Sequence, residues 1–192
     1  MNDVMKKNMR MFTANSSVFA VVTGIVGPYI TVLLASKGFV EMGIAMAIMM
    51  VSQALTTFFS GYISDRLFGG TRKPFLIAAG VLQAVIFVFY PHATTTVHFY
   101  ALQFVLGMVG GILTTIRVAL LSDLLPIRKS RGQAVGTYNF FLTCASAVGL
   151  VVGSIVVKYY GYSMLFTTSA VAILLSSFFL LQMDENYIKQ EV

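Results

Sequence analysis

The chain has 192 residues, of which 57% are hydrophobic and only 10% charged, with a mean hydropathy of +0.83. A water-soluble domain carries about 25% charged residues, so this composition excludes a soluble module and implies that the apolar surface meets lipid. The formal net charge of +6 does not indicate nucleic-acid binding, because the basic residues cluster between long apolar runs, as in the cytoplasmic loops of membrane proteins.

A helix needs about 20 mostly apolar residues to cross the hydrocarbon core. Six segments qualify, roughly 12–34, 40–63, 75–91, 97–121, 133–157 and 163–182. The expected fold is therefore all-α and integral to the membrane, a single domain over residues 1–192 with short connections. Lys6, Lys7 and Arg10 precede the first run, which is too long for a signal-peptide core, and five further spans follow; it reads as a retained helix. That helix carries Ser16, Ala20, Thr23 and Gly27 on one face, and helix two carries Gly43, Ala47, Ala54 and Gly61. His92 and His98 flank the loop before helix four and read as helix-end polar residues. Helix four has Gln103, Gly107, Gly110, Thr114 and Arg117 on one stripe, and helix five has Gly136, Asn139, Thr143, Ser146 and Gly153. Small residues on such stripes let helix backbones approach in lipid, which suffices for helix two. The polar groups of Gln103, Asn139 and Arg117 ask for more, because intramembrane polar residues face a bundle interior or a watery cavity. Cys144, the only cysteine, reads as a small apolar filler, with neither a disulfide nor a metal site implied.

The charges give the orientation. Of the 13 Lys and Arg residues, ten fall at the ends and in the even-numbered loops: Lys6, Lys7, Arg10, Arg66, Arg72, Lys73, Arg128, Lys129, Arg131 and Lys189. Lys37 and Lys158 lie on the opposite side, and Arg117 is inside a span. The positive-inside rule then puts both termini of this multi-pass protein in the cytoplasm, and the lack of disulfides fits a bacterial-type plasma (inner) membrane.

The connection after helix two reads Gly61-Tyr62-Ile63-Ser64-Asp65-Arg66-Leu67-Phe68-Gly69-Gly70-Thr71-Arg72-Lys73-Pro74. It resembles the signature loop of the major facilitator superfamily, with Gly61, Asp65, Arg66, Gly69 or Gly70, Arg72 and Lys73 matching, although the spacing after Arg66 is slightly long. Asp123-Leu124-Leu125-Pro126 followed by Arg131-Gly132-Gln133 is similar to the family's equivalent turn, and Gly161-Tyr162 with Phe166 matches a further mark. The resemblance implies a secondary transporter that moves a small organic solute by alternating access. In it Asp65 would be the hub of a cytoplasmic latch and Arg117 its partner, with Arg66, Arg72 and Lys73 as surface members and Asp123 and Arg131 in the second turn. Helices one and four would line the pathway with help from two and five, which nominates Asn15, Thr23, Tyr29, Gln53, Gln103, Tyr138 and Asn139 as uncharged substrate contacts.

The chain also departs from the family pattern. Members normally have two six-helix halves, each built of two inverted three-helix units, and this chain resembles the N-terminal half. A second half is implied as partner, either a missing C-terminal half or a homodimer copy; Asp184, Glu185, Lys189 and Glu191 lie where a linker would begin. Gln103 stands where many proton-coupled drug exporters have arginine, and Gly149–Gly153 lacks their proline. Neither a cofactor nor a metal is implied. With no clustered acids or nucleophile motif the chain does not read as an enzyme; the competing readings are a non-transporting accessory subunit and a half-size protein active only as a dimer.

Overall fold

The computed structural model describes residues 3–66, 72–124 and 131–183. Its described residues form α-helices and one short 3-10 turn, with no strand among them: α1 Asp3–Ala35, α2 Phe39–Arg66, α3 Lys73–Phe89, α4 Thr96–Leu124 and α5 Arg131–Leu181, with the 3-10 turn Tyr90–His92 after α3. All five helices are long and apolar enough to cross a membrane. α1 begins at Asp3 rather than near residue 12, because no Gly or Pro interrupts residues 3–23. Lys6, Lys7 and Arg10 thus belong to its first turns. Pro74 sits in the first turn of α3, where a missing N–H costs nothing.

The two last predicted spans fall within one element. α5 has 51 residues, which as a straight rod would be about 75 Å long, more than twice the hydrocarbon core of about 30 Å. It is broken at Gly161, whose φ of 78° and ψ of 177° lie in a region open essentially to glycine. The contacts of α1 show what the break does. Along the first arm, Ser146 meets Ala20, Gly149 meets Val21 and Gly153 meets Ile25 and Tyr29, so this arm runs parallel to α1. Beyond the break Tyr162 stands against Tyr29 and Ser176 against Asn15, so the second arm runs back.

α2 and α4 form the other parallel pair, with Met49 and Ser52 at Gly107, Gln53 and Thr56 at Gly111, and Thr57 at Thr115. α3 packs antiparallel to the returning arm of α5, from Lys73 near Leu181 to Phe87 near Phe166. Tyr90 stacks on Phe166 at 5.1 Å between centroids and touches Phe99 and Phe87, locking the end of α3, the start of α4 and the start of the returning arm of α5 together. Lys37 reaches Thr94 O at that same end.

The small-residue seams differ in part from the predicted stripes. A Cβ at Gly24 would lie 2.2 Å from Ser146 O, one at Gly149 2.2 Å from Val21 O, and one at Gly107 2.2 Å from Met49 O. Gly24, Gly149 and Gly111 were missed. The helix-two stripe, by contrast, is not a contact face within this chain: Gly43, Ala47 and Ala54 are exposed, nothing lies within 4 Å of a Cβ at Gly43, and Gly61 would meet only Thr115, at 3.7 Å. Cys144 likewise fills nothing, because its side chain is exposed. Hydropathy cannot identify these faces, since in lipid the outward face is as apolar as the inward one. α2 and the first arm of α5 carry much of the exposed apolar surface, including Phe39, Met50, Phe58, Phe140, Val151 and Tyr159.

Candidate functional site

Four helices line an open cavity of about 240 Å³. α1 contributes Phe19, Thr23 and Gly27, α2 Met49 and Gln53, α3 Gln83 and Phe87, and α4 Gly110, Thr114 and Arg117. Apolar side chains make most of the wall and a few polar ones are set into it, the usual make-up of a small-molecule site. Gln83 is only 5% exposed and its Oε1 accepts no hydrogen bond. A second cavity of about 710 Å³ opens between α4 and the first arm of α5, lined by Thr114, Arg117, Ser122, Tyr138 and Asn139 among others. Thr114 and Arg117 form the wall common to both.

Arg117 projects from α4 seven residues before its end at Leu124, roughly 10 Å along the axis. Its guanidinium lies over the ring of Phe19, 3.6 Å from the centroid, and Nη2 donates to Asn15 Oδ1 at 3.5 Å. Nε is buried and finds no acceptor. Asn15 is held in turn by Nδ2, which donates to Ser176 O at 2.9 Å and to Ser176 Oγ at 3.2 Å. The chain Arg117–Asn15–Ser176 therefore ties α4, α1 and the returning arm of α5. Among the described residues no carboxylate pairs with Arg117.

The predicted substrate contacts separate into groups. Thr23 and Gln53 line the smaller cavity and Tyr138 and Asn139 the larger. Asn15 is a buried brace rather than a wall residue, and Tyr29 packs on Tyr162 and Gly153. Gln103 lines none of the described cavities: it is fully buried in α4 and neither amide atom has a hydrogen-bond partner. The helix-four stripe is thus divided, with Gly107 against α2 and Gly110, Thr114 and Arg117 facing the cavity. A buried amide without partners costs about 1–3 kcal/mol in desolvation. Replacing Gln103 by leucine will accordingly leave stability unchanged or raise it by about 1 kcal/mol, measured as the shift in Tm of the detergent-solubilised protein; a large loss would mean that the amide is hydrogen-bonded after all. Gln83 was overlooked in the sequence, although it is the sole amide in the apolar run of α3. Phe19, one apolar residue among many, carried no signal.

Where α3 begins and α4 ends, Arg72 and Asp123 form a salt bridge, their side chains 14% and 23% exposed. Lys73 Nζ donates to Leu181 O and Met183 O, each at 2.8 Å, filling carbonyls that a helix end leaves open. These contacts fasten the start of α3 to the ends of α4 and α5. Both residues do more than the surface role expected of them. The side chains of Asp65, Arg66 and Arg131, together with Gly69 and Gly70, lie outside the described residues, and with them the expected Asp65–Arg117 pair.

The family model of the Major Facilitator Superfamily matches residues 12–190. The chain belongs to the major facilitator superfamily. The uncharacterized MFS-type transporter YitZ of Bacillus subtilis is 23% identical over 174 residues, covering 90% of this chain and 99% of that protein. Multidrug resistance protein MdtL of Escherichia coli is 28% identical over 145 residues, covering 74% of this chain and 36% of that protein. The chain thus spans about a third of MdtL but nearly all of YitZ. Membership in the major facilitator superfamily makes this a multi-pass membrane protein of a transporter family and points away from an enzyme.

Proposed function

We propose that this chain is a six-span unit of a secondary transporter, moving a small organic solute across a plasma (inner) membrane by alternating access. The observation that carries this reading is the apolar-walled cavity among α1, α2, α3 and α4, with Thr23, Gln53, Gln83 and Thr114 set into it. Apolar walls with a few polar groups set into them are the usual make-up of a small-molecule site. The reversal of α5 at Gly161 supports counting its arms as two spans, and six spans fit termini on one side. α1 to α3 and α4 with the arms of α5 would then be the two inverted units.

One such unit builds one wall of a pathway, so a second six-helix unit completes it. The exposed apolar faces of α2 and the first arm of α5 are suited to that contact. YitZ, matched over 99% of its length, favours a second copy of the same chain; MdtL, matched over 36%, favours a separate C-terminal half. The Arg72–Asp123 bridge and the Lys73 clamp would act at the cytoplasmic side as a gate, opening when the pathway faces inward.

The test is uptake by vesicles reconstituted with the purified chain, alone or with a six-span partner, alongside its oligomeric mass in detergent. The expected result is protein-dependent entry of at least one solute from a mixed panel of small neutral, anionic and cationic organic compounds. Vesicles no more permeable than protein-free controls, in either assembly, would favour an accessory subunit instead.

A further inference from the structure

From the wall of the smaller cavity we infer that the guest is a small organic anion, its charged group seated on Arg117 and a hydrogen-bond donor directed at Gln83. This rests on the transporter reading but concerns binding alone. Arg117 is a cation within a membrane-spanning helix, and among the described residues it has no carboxylate partner. One face is covered by Phe19 and one nitrogen is taken by Asn15. Arg117 lines the cavity, and its Nε is a buried donor with no acceptor. Charged groups in membrane proteins are retained where something of opposite sign meets them, and an arginine accepts a carboxylate better than any other anion receptor a side chain provides. Gln83 supplies the second point, a buried carbonyl oxygen without a donor on the same cavity. Between them the wall is apolar, with Val26, Leu106 and Leu113. A cavity of about 240 Å³ has room for one small organic body carrying the two groups.

The probes are 4-hydroxybenzoate, benzoate, benzamide and benzylamine, titrated into the full chain in phosphatidylcholine nanodiscs. The anions are expected to bind at least tenfold more tightly than the amide and the amine, and the hydroxyl to improve on benzoate. Arg117→Gln should abolish the preference of benzoate over benzamide while benzamide binding persists, which shows the variant folded. Gln83→Leu should remove the advantage of the hydroxyl and spare the preference for the anion; it keeps the test decisive if Arg117→Gln does not fold. Equal affinity for benzoate and benzylamine, no anion binding by the folded wild type, or an unchanged preference in Arg117→Gln overturns the inference. Repeating the titration in phosphatidylglycerol nanodiscs at about 1 M salt, where surface charge is screened, separates a soluble anion from a lipid head group: unchanged affinity supports the solute, whereas a tenfold loss gives the seat to lipid and overturns it. Transport of a neutral or cationic solute with no anion binding would remove this inference and leave the proposed function standing.

Discussion

Gly149→Ala will loosen the α1–α5 pair and lower stability by about 1–3 kcal/mol, whereas Gly43→Ala will be harmless. The added methyl at 149 would stand 2.2 Å from the backbone oxygen of Val21, and that of Gly24→Ala 2.2 Å from Ser146 O. A flexible side chain can swing away from such an intruder; a helical carbonyl can move only with its helix. The whole seam must part, taking with it the bond from Ser146 Oγ to Ala20 O. In lipid that loss is not offset by hydrophobic reassociation, because packing itself holds the helices together. At Gly43 nothing lies within 4 Å, and alanine should gain up to about 1 kcal/mol in helix propensity. Tm by fluorescence-detected size exclusion, with both variants at equal expression, measures the contrast. Equal Tm values for the two would show that α1 and α5 do not meet as described.

Breaking the Arg72–Asp123 bridge is the second large effect. Asp123→Ala and Arg72→Ala should each cost about 1–3 kcal/mol, the range for a charge-assisted hydrogen bond whose remaining partner stays poorly hydrated. Both side chains are less than a quarter exposed, so solvent screening reduces the value without cancelling it. The exchanged pair Arg72→Asp with Asp123→Arg should recover at least half of the loss, and a double-mutant cycle should give a coupling of about 1–2 kcal/mol. If the bridge also acts as the proposed gate, the single variants should lower uptake at unchanged membrane insertion. Strictly additive effects on stability would show that the two charges act independently.

Some of this architecture was readable along the chain. The apolar runs appear as helices close to where they were expected, and the break between the last two falls at Gly161, beside a Gly-aromatic mark already visible. The resemblance drew attention to Arg72 in one loop and Asp123 in another, though not to the salt bridge between them. Arg117 stood out because a cation in a greasy run is conspicuous. Its surroundings did not: Asn15 is 102 residues away, Phe19 is one aromatic among 16 phenylalanines, and Gln83 sits in a helix whose other residues gave no reason to look inward.

By itself the sequence determined the environment of the protein and the approximate position of its apolar runs, because these are one-dimensional quantities. A run of apolar residues is measured against bilayer thickness, and a charge either lies between runs or inside one. Only the tertiary structure decided that α1 pairs with the first arm of α5 and α2 with α4, that Gly24 and Gly149 rather than the helix-two stripe carry close contacts, and that Gln83 meets Arg117's cavity. The physical reason is that helical periodicity identifies a face but not its partner, and surrounding lipid removes the polarity difference that marks the inward face in water.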